Sequence, residues 1–358
     1  MRKRRTRDET RQVKVGDVLV GGGAPVSVQS MTNTKTSDVE ATVEQLRELK
    51  AAGCEIARVS VPDRASAEAL PVILEQIDIP VVADIHFDYR LALAAIDAGV
   101  AKVRINPGNI GREDRVRAVL DRAAERGIPI RVGVNAGSLE KDLLEKYGGP
   151  TPEAMVESAL RHVDLCYRQN FYDVVVSLKA SDVLTTVAAY RLAAEEMECP
   201  LHLGITEAGT LLTGTVKSSV GLGILLAEGI GDTIRVSLTA DPVQEVKVGI
   251  EILKALGLRR QGVTIVSCPT CARVEVDLIP IVEELEARLA DVKTPLHVAV
   301  MGCAVNGPGE ARGADVGVAC GKHSALLFRK GQIVRKVRES EIVDVLEQEV
   351  RRLAEEDA

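Results

Sequence analysis

Lys102-Val-Arg-Ile-Asn106 and Ile130-Arg-Val-Gly-Val-Asn135 decide how this chain is read. Each is a short β-branched run whose polar residues share one phase of a two-residue period. Arg104 and Asn106 therefore fall on one face of a strand, and Arg131 and Asn135 on one face of the next. Between the runs lies a helical stretch closed by Gly127. The same alternation extends in both directions, with strands expected at Val26–Ser30, Ile56–Val61 and Val81–His86, then at Asp173–Lys179, Leu201–Thr206 and Thr233–Leu238. Helix starts stand between them. Ser37-Asp38 precedes Val39–Ala52, Asp63 precedes Arg64–Gln76, and Thr151-Pro152 opens a helix running to about Gln169. Gly53, Gly99 and Gly257 read as further helix ends. Eight consecutive βα units suit a closed parallel (β/α)8 barrel of the α/β class, because the eighth strand can pair with the first; an open doubly wound sheet is the alternative. The dinucleotide-binding fingerprint is missing, since Gly21-Gly22-Gly23 precedes the first strand and reads as a turn.

After Gly257 the rhythm changes. Strands are expected at Val263–Ser267, Leu296–Met301 and Val316–Ala319, a helix at Asp277–Leu289, a hairpin around Lys330-Gly331, and a charged helix from about Glu341. This mixture predicts a small α+β domain. The polar stretch Arg259-Arg260-Gln261-Gly262 sets the expected boundary, giving domains 1–260 and 261–358.

The 358 residues suit a barrel of about 250 and a domain of about 100. Aromatic residues make up 2 % with no Trp, so the core must come from Val, Leu, Ile and Ala, and the composition argues against a base-stacking surface for single strands. A net charge of −7 gives no global reason for nucleic-acid binding. The basic start, Met1-Arg-Lys-Arg-Arg-Thr-Arg7, reads as a solvated tail and, lacking a following apolar run, not as a signal peptide. No apolar run is long enough to span a membrane, and a cytoplasmic enzyme is expected. Seven cysteines without an export signal read as thiols, metal ligands or redox groups, not as a disulfide framework.

The strand ends collect polar groups: Arg58 and Ser60, Asp84 and His86, Arg104 and Asn106, Arg131 and Asn135, Ser177 and Lys179, Thr206 and Glu207, Arg235 and Ser237. Barrel enzymes place their chemistry at the C-terminal rim. A ring of Arg58, Arg104, Arg131, Lys179 and Arg235 would repel itself unless an anion filled the centre, and a phosphate or diphosphate fits planar guanidinium donors. For any one arginine, an ion pair to a helix carboxylate is the plainer reading. His86 reads equally as a substrate ligand, a proton carrier or a hydrogen-bonded structural residue. Glu207 reads as an acid for a leaving oxygen or as a partner for a rim cation.

Cys268-Pro-Thr-Cys271 follows one strand and Cys303 ends another, before the tight Asn306-Gly307-Pro308-Gly309 turn and Glu310. Three chemistries compete for them: an iron–sulfur cluster, a zinc site and a dithiol pair, with Cys320 as the fourth sulfur for either metal. Cys54, Cys166 and Cys199 sit in or beside apolar segments and read as small core residues.

Six segments carry a resemblance: Ser27-Val-Gln-Ser-Met-Thr-Asn33, Val103-Arg-Ile-Asn-Pro-Gly-Asn-Ile-Gly111, Arg131-Val-Gly-Val-Asn-Ala-Gly-Ser138, His202-Leu-Gly-Ile-Thr-Glu-Ala-Gly209, Cys268-Pro-Thr-Cys271 and Gly302-Cys-Ala-Val-Asn-Gly-Pro-Gly-Glu310. In this order, over nearly the whole chain, they resemble the 4-hydroxy-3-methylbut-2-enyl diphosphate synthases, oxidoreductases of the non-mevalonate isoprenoid route, in their two-domain bacterial form. The resemblance implies a [4Fe–4S] cluster on Cys268, Cys271, Cys303 and Glu310, leaving Cys320 structural. It implies that 2-C-methyl-D-erythritol 2,4-cyclodiphosphate is bound by Arg58, Arg104, Arg131, Asn135 and Lys179, with His86 and Ser237 as additions and Glu207 as the acid. It also implies flavodoxin or ferredoxin as electron donor and a head-to-tail homodimer. The alternatives are a phosphate-binding barrel, such as an aldolase or pterin-type transferase, carrying a structural zinc module, and an electron carrier, which leaves the cationic rim unexplained.

Overall fold

The computed structural model describes residues 3–356 apart from 107–109, 111, 304, 306–308 and 310–312. The chain divides into two compact units, residues 1–258 and 259–358. In the first, an antiparallel hairpin of β1 (Val13–Val15) and β2 (Val18–Val20) precedes eight parallel strands. These are β3 (Ser27–Met31), β4 (Ile56–Ser60), β5 (Val81–Asp84), β6 (Lys102–Ile105), β7 (Ile130–Asn135), β8 (Val174–Lys179), β9 (His202–Leu203) and β10 (Thr233–Ile234). They lie in the order β8-β7-β6-β5-β4-β3-β10-β9, and a parallel bridge between Val176 and Leu201 joins the two ends. The eighth strand pairs with the first through Thr233–Ser27 and Ile234–Val28. The sheet is the expected barrel.

The interleaved helices are α1 (Val39–Ala51), α2 (Arg64–Leu74), α3 (Tyr89–Ala98), α4 (Glu113–Arg126), α5 (Lys141–Tyr147), α6 (Pro152–Arg168), α7 (Val183–Glu196), α8 (Leu211–Ala227) and α9 (Pro242–Ala255). Asp38, Asp63 and Thr151 accept from backbone N–H groups at their expected helix starts, each cap contributing about 1 kcal/mol. Gly99 and Gly127 close α3 and α4 in the left-handed conformation that glycine adopts without a Cβ clash. One phase of each strand packs on the helices: Val59, Ala83, Val103, Val132, Val176 and Leu178 join one apolar core with Leu46, Leu70, Ile96, Val119 and Leu222. The opposite phase points into the barrel and is largely polar.

Two expectations need correction. The last two strands were expected to run to Thr206 and Leu238, but β9 and β10 span two residues each. The ladder stops at Gly204, where a Cβ would stand 2.9 Å from both the Arg235 carbonyl and Lys179 Nζ. Single backbone bonds go on past it, Arg235 N donating to Leu203 O and Thr206 N to Ala180 O, without a regular ladder. The basic start, from Lys3 onward, is not a solvated tail. Arg5 N donates to Ala194 O, Arg7 N to Gly229 O and Arg7 Nη2 to Leu226 O, while Arg4 pairs with Glu195 at 3.0 Å. These cations seat against the last turns of α7 and α8, where unpaired carbonyls and the helix dipole favour positive charge.

The second unit holds one sheet in sequence order, β11 (Val263–Ser267), β12 (Leu296–Met301), β13 (Val316–Gly321), β14 (Ser324–Arg329) and β15 (Gln332–Arg338). The first three strands are parallel and the last two antiparallel. The β13–β14 hairpin, turning at Lys322-His323, was not foreseen. Helices α10 (Leu278–Leu289) and α11 (Ile342–Glu356) cover one face, burying Leu285, Leu289, Leu346 and Val350 against Val298, Val318 and Cys320.

Candidate active site

The inward phase of the barrel builds a recess at the C-terminal ends of the strands. Its walls are Arg58, Asp84, His86, Arg104, Arg131, Asn135, Ser177, Lys179, Thr206, Arg235 and Ser237. Every barrel residue proposed as a substrate ligand is in this wall. The recess measures about 130 Å³, below the roughly 300–1,000 Å³ of pockets that enclose a whole small molecule. It suits a compact, strongly charged group.

Asp84 stands at its centre. Arg104 Nη1 approaches Asp84 Oδ1 at 3.1 Å, and Arg58 Nε and His86 Nε2 approach Oδ2 at 3.7 and 3.6 Å. Burial alone would raise the carboxyl's pKa. Arg58, His86, Arg104 and Arg131 outweigh burial and hold it well below the usual carboxylate range. A second carboxylate, Glu245 of α9, lies behind Arg235, with both guanidinium–carboxylate distances at 3.3 Å. It also accepts from Ser30 Oγ at 2.8 Å and from Leu238 N at 3.0 Å. Arg235 thus has the helix-carboxylate partner weighed as the plainer reading.

Among the described residues the lining holds four guanidinium groups and Lys179 against one carboxylate, with Glu245 behind. Burial pushes Arg58 down to about 10 despite Asp84. Burial, then the surrounding arginines, drives Lys179 well below the ordinary lysine range. Burying charge this way is unfavourable unless an opposite charge arrives. An anion in the recess would supply it.

Two glycines make room for the cations. A Cβ on Gly133 would stand 2.5 Å from Arg104 Nε, and one on Gly204 would stand 2.9 Å from Lys179 Nζ. Both occupy inward positions beside larger polar residues, a signal present in the strand period. Gln29, Met31, Lys102, His202 and Glu245 were also missed. Arg58 Nε donates to Met31 Sδ at 3.0 Å, and Arg131 Nη1 donates to Gln29 Oε1 at 3.4 Å. Glu207 is exposed, one residue beyond Thr206, and is not among the lining residues. Its φ of 52° lies in the left-handed region, where a non-glycine residue costs roughly 1–2 kcal/mol.

In the second unit, β11 and β12 are parallel with Ser267 opposite Val300, so Cys268 and Cys303 follow adjacent strand ends. Gly302 N donates to Cys268 Sγ at 3.2 Å. Cys303 is buried, Cys268 half-buried and Cys271 exposed. Among the described residues no three His, Cys, Asp or Glu side chains converge on a single-ion position. Two sulfurs at neighbouring strand ends, one already accepting a backbone N–H, suit a site that takes thiolate ligands. Glu310 and the turn before it lie outside the described residues. Cys320 sits in the helix-covered core, where burial first, then Glu339, Cys268 and Cys303, raise its thiol to about 12. Cys54, Cys166 and Cys199 are buried in the barrel core as expected, and the seven cysteines form no disulfide. Among the described residues no helix is long and apolar enough to cross a membrane.

Known proteins share the barrel and, more closely, the sequence. The barrel likeness includes the Yersinia pestis dihydropteroate synthase, at TM-score 0.50 and 14 % identity over 69 % of this chain and 97 % of that one. A Xanthomonas albilineans dihydropteroate synthase gives the same score, covering 69 % of this chain and 98 % of its own. At such identity the likeness is of fold alone. Sequence relatives are far nearer. A Geobacter sulfurreducens protein named 4-hydroxy-3-methylbut-2-en-1-yl diphosphate synthase (flavodoxin) is 61 % identical over 97 % of this chain and 99 % of its own length. A Geobacillus thermodenitrificans protein of the same name is 59 % identical over 98 % of this chain and 94 % of its own. Residues 10–250 match the GcpE TIM-barrel domain and residues 264–352 the GcpE protein C-terminal domain, so the chain belongs to the GcpE family.

Proposed function

We propose that this chain converts 2-C-methyl-D-erythritol 2,4-cyclodiphosphate into 4-hydroxy-3-methylbut-2-enyl diphosphate, taking two electrons singly and losing water. The observation that carries the reading is the buried cationic recess, in a chain that shares about 60 % identity with relatives named for that product. Arg58, Arg104 and Arg131 grip the diphosphate oxygens as planar donors. Lys179, Asn135, His86 and Ser237 complete its coordination and fix the ring's orientation, and Asp84 holds Arg58 and Arg104 in place for that task. Glu207, at the lip, delivers a proton to the departing oxygen.

The family is one of iron–sulfur enzymes, and we assign a [4Fe–4S] cluster to Cys268, Cys271, Cys303 and Glu310. When bound it supplies electrons one at a time and an iron whose carboxylate ligand is more readily exchanged than a thiolate. The Gly302 N–H bond to Cys268 Sγ stabilises negative charge on that sulfur, and a reducing cytoplasm keeps all three thiols available. Flavodoxin, named with the relatives, is the assigned electron donor.

The test is anaerobic turnover of the cyclic diphosphate with a strong one-electron reductant, alongside iron, sulfide and zinc analysis. Product formation by brown, iron- and sulfide-containing protein supports the reading. Colourless protein holding only zinc, without turnover, would overturn it. A homodimer belongs to the same proposal. Mixing a Cys303→Ala chain with a Lys179→Ala chain should restore activity if barrel and cluster act across subunits, and no recovery at any ratio removes that arrangement.

A further inference from the structure

Beneath the recess the barrel carries a second layer of polar side chains, of which only Arg131 takes part in the proposed reaction. Lys102 and His202 are 0 % exposed and Arg131 is 1 % exposed. Among the described residues, Lys102 Nζ, both ring nitrogens of His202, Arg131 Nε and Gln29 Nε2 have no hydrogen-bond partner. Lys102 pairs with Val82, one pleat below Asp84 and Arg104. Val82, beside Lys102, packs with Ile56 against Val15 and Val20 of the β1–β2 hairpin.

The groups around Lys102 are of one sign. Arg131 of β7 and Arg58 of β4 act on it directly, and His202 of β9 feels Lys102 in turn. Gln29 of β3 is uncharged, and Asp84 of β5 is engaged with Arg104, Arg58 and His86 one pleat higher. An ammonium held here would be buried beside two guanidinium groups without an acceptor, a strongly unfavourable state. Arginine cannot shed its proton in a protein, but lysine can. Burial, followed by Arg131 and Arg58, accordingly drives Lys102 well below the ordinary lysine range.

Arg58 and Arg131 also line the recess. A diphosphate settling on them would cancel the two charges that keep Lys102 from holding a proton. We propose that Lys102 is a proton-accepting residue under the anion site, neutral in the ligand-free barrel and protonated when a diphosphate group binds, so that anion binding is coupled to proton uptake. The coupling supplies a further cation beneath the ligand only when an anion is there to offset it. This inference rests on the anion-site reading.

Calorimetric titration with inorganic diphosphate, in several buffers of different ionisation heat at one near-neutral pH, measures the protons exchanged on binding. Relative to wild type, Lys102→Met should take up fewer protons, by a difference approaching one, and should bind several-fold more weakly. The same proton count in both overturns the inference, as does a count that changes in His202→Gln but not in Lys102→Met. Wild type that gives no binding heat in any buffer overturns the anion site itself, a separate outcome. If Lys102→Met does not fold, Lys102→Gln serves the same comparison.

Thermal unfolding of the ligand-free proteins is a second measurement. A lysine that is neutral when folded and protonated when unfolded makes stability rise with pH, because the unfolded chain binds more protons. Lys102→Met should therefore melt above wild type near neutrality, with the gap shrinking as pH climbs toward the ordinary lysine range. A gap independent of pH refutes the neutral state.

Discussion

Gly133 has no Cβ, and the side chain of Arg104 fills the space one would take, 2.5 Å from Nε. The glycine is needed for this close approach, since its φ is not in the left-handed region. Gly133→Ala should displace the guanidinium and weaken inorganic diphosphate binding by roughly 10–100-fold, the worth of hydrogen bonds to a charged group. In an Arg104→Ala background the same substitution should have little further effect on affinity. Titration calorimetry on the four proteins of that cycle checks both statements.

Among the described residues of the recess wall, Asp84 is the one carboxylate. Asp84→Asn leaves Arg58 and Arg104 without their counter-charge and should lower stability by about 3–5 kcal/mol, as breaking a buried pair does. Because the folded carboxyl lies below its unfolded value, its contribution is present above about pH 4 and is lost as pH falls from there. Denaturant unfolding should show a constant gap between variant and wild type from about pH 5 to 8 that closes only in acid.

Glu207 combines exposure with a left-handed backbone, a strain kept at a site assigned to chemistry. Glu207→Gln should retain iron, sulfide and diphosphate binding yet lose turnover by about 10²–10⁴-fold, the scale of a general acid. Glu207→Gly should be equally inactive but more stable by roughly 1 kcal/mol, because glycine adopts that conformation freely. Full activity in the Gln variant would remove this residue from the mechanism.

Asp232 ties the N-terminal segment to the barrel, accepting from Thr10 Oγ1 at 2.8 Å and from Leu201 N at 2.7 Å. Burial raises its carboxyl to about 6, against the hydrogen bonds and Arg7, which lower it. A raised folded value means that stability is greatest below about pH 4 and falls as pH rises through 6. Asp232→Asn, which keeps an acceptor for Leu201 N, should gain on wild type by up to about 3 kcal/mol between about pH 4 and 7. Melting curves across that range test it, and parallel curves would refute the shift.

Much of the site could be read from the strand period. Arg58, Arg104, Arg131, Asn135 and Lys179 share the inward phase of their strands, and that phase is enough to place them in one ring once the sheet closes. Their partners were hidden. Glu245 lies on a helix where nothing in the local pattern distinguishes it from a solvated carboxylate, yet it is buried against Arg235. Lys102 reads as the polar edge of a strand and is sealed in the floor of the barrel. The basic start reads as a free tail because its anchors are helix ends some 190 residues away.

What the amino-acid order determined by itself is what depends on neighbours along the chain: the alternation of strands and helices, the caps, the inward phase of the rim cations and the cysteine spacing. Only the tertiary structure decided which inward residues meet across the barrel. Closing eight strands brings Gln29 to Arg131 and empties Gly133 and Gly204 for the side chains of β6 and β8. Burial then sets the charge states, because desolvation and the sign of nearby charge act through space and leave no periodic trace in the sequence.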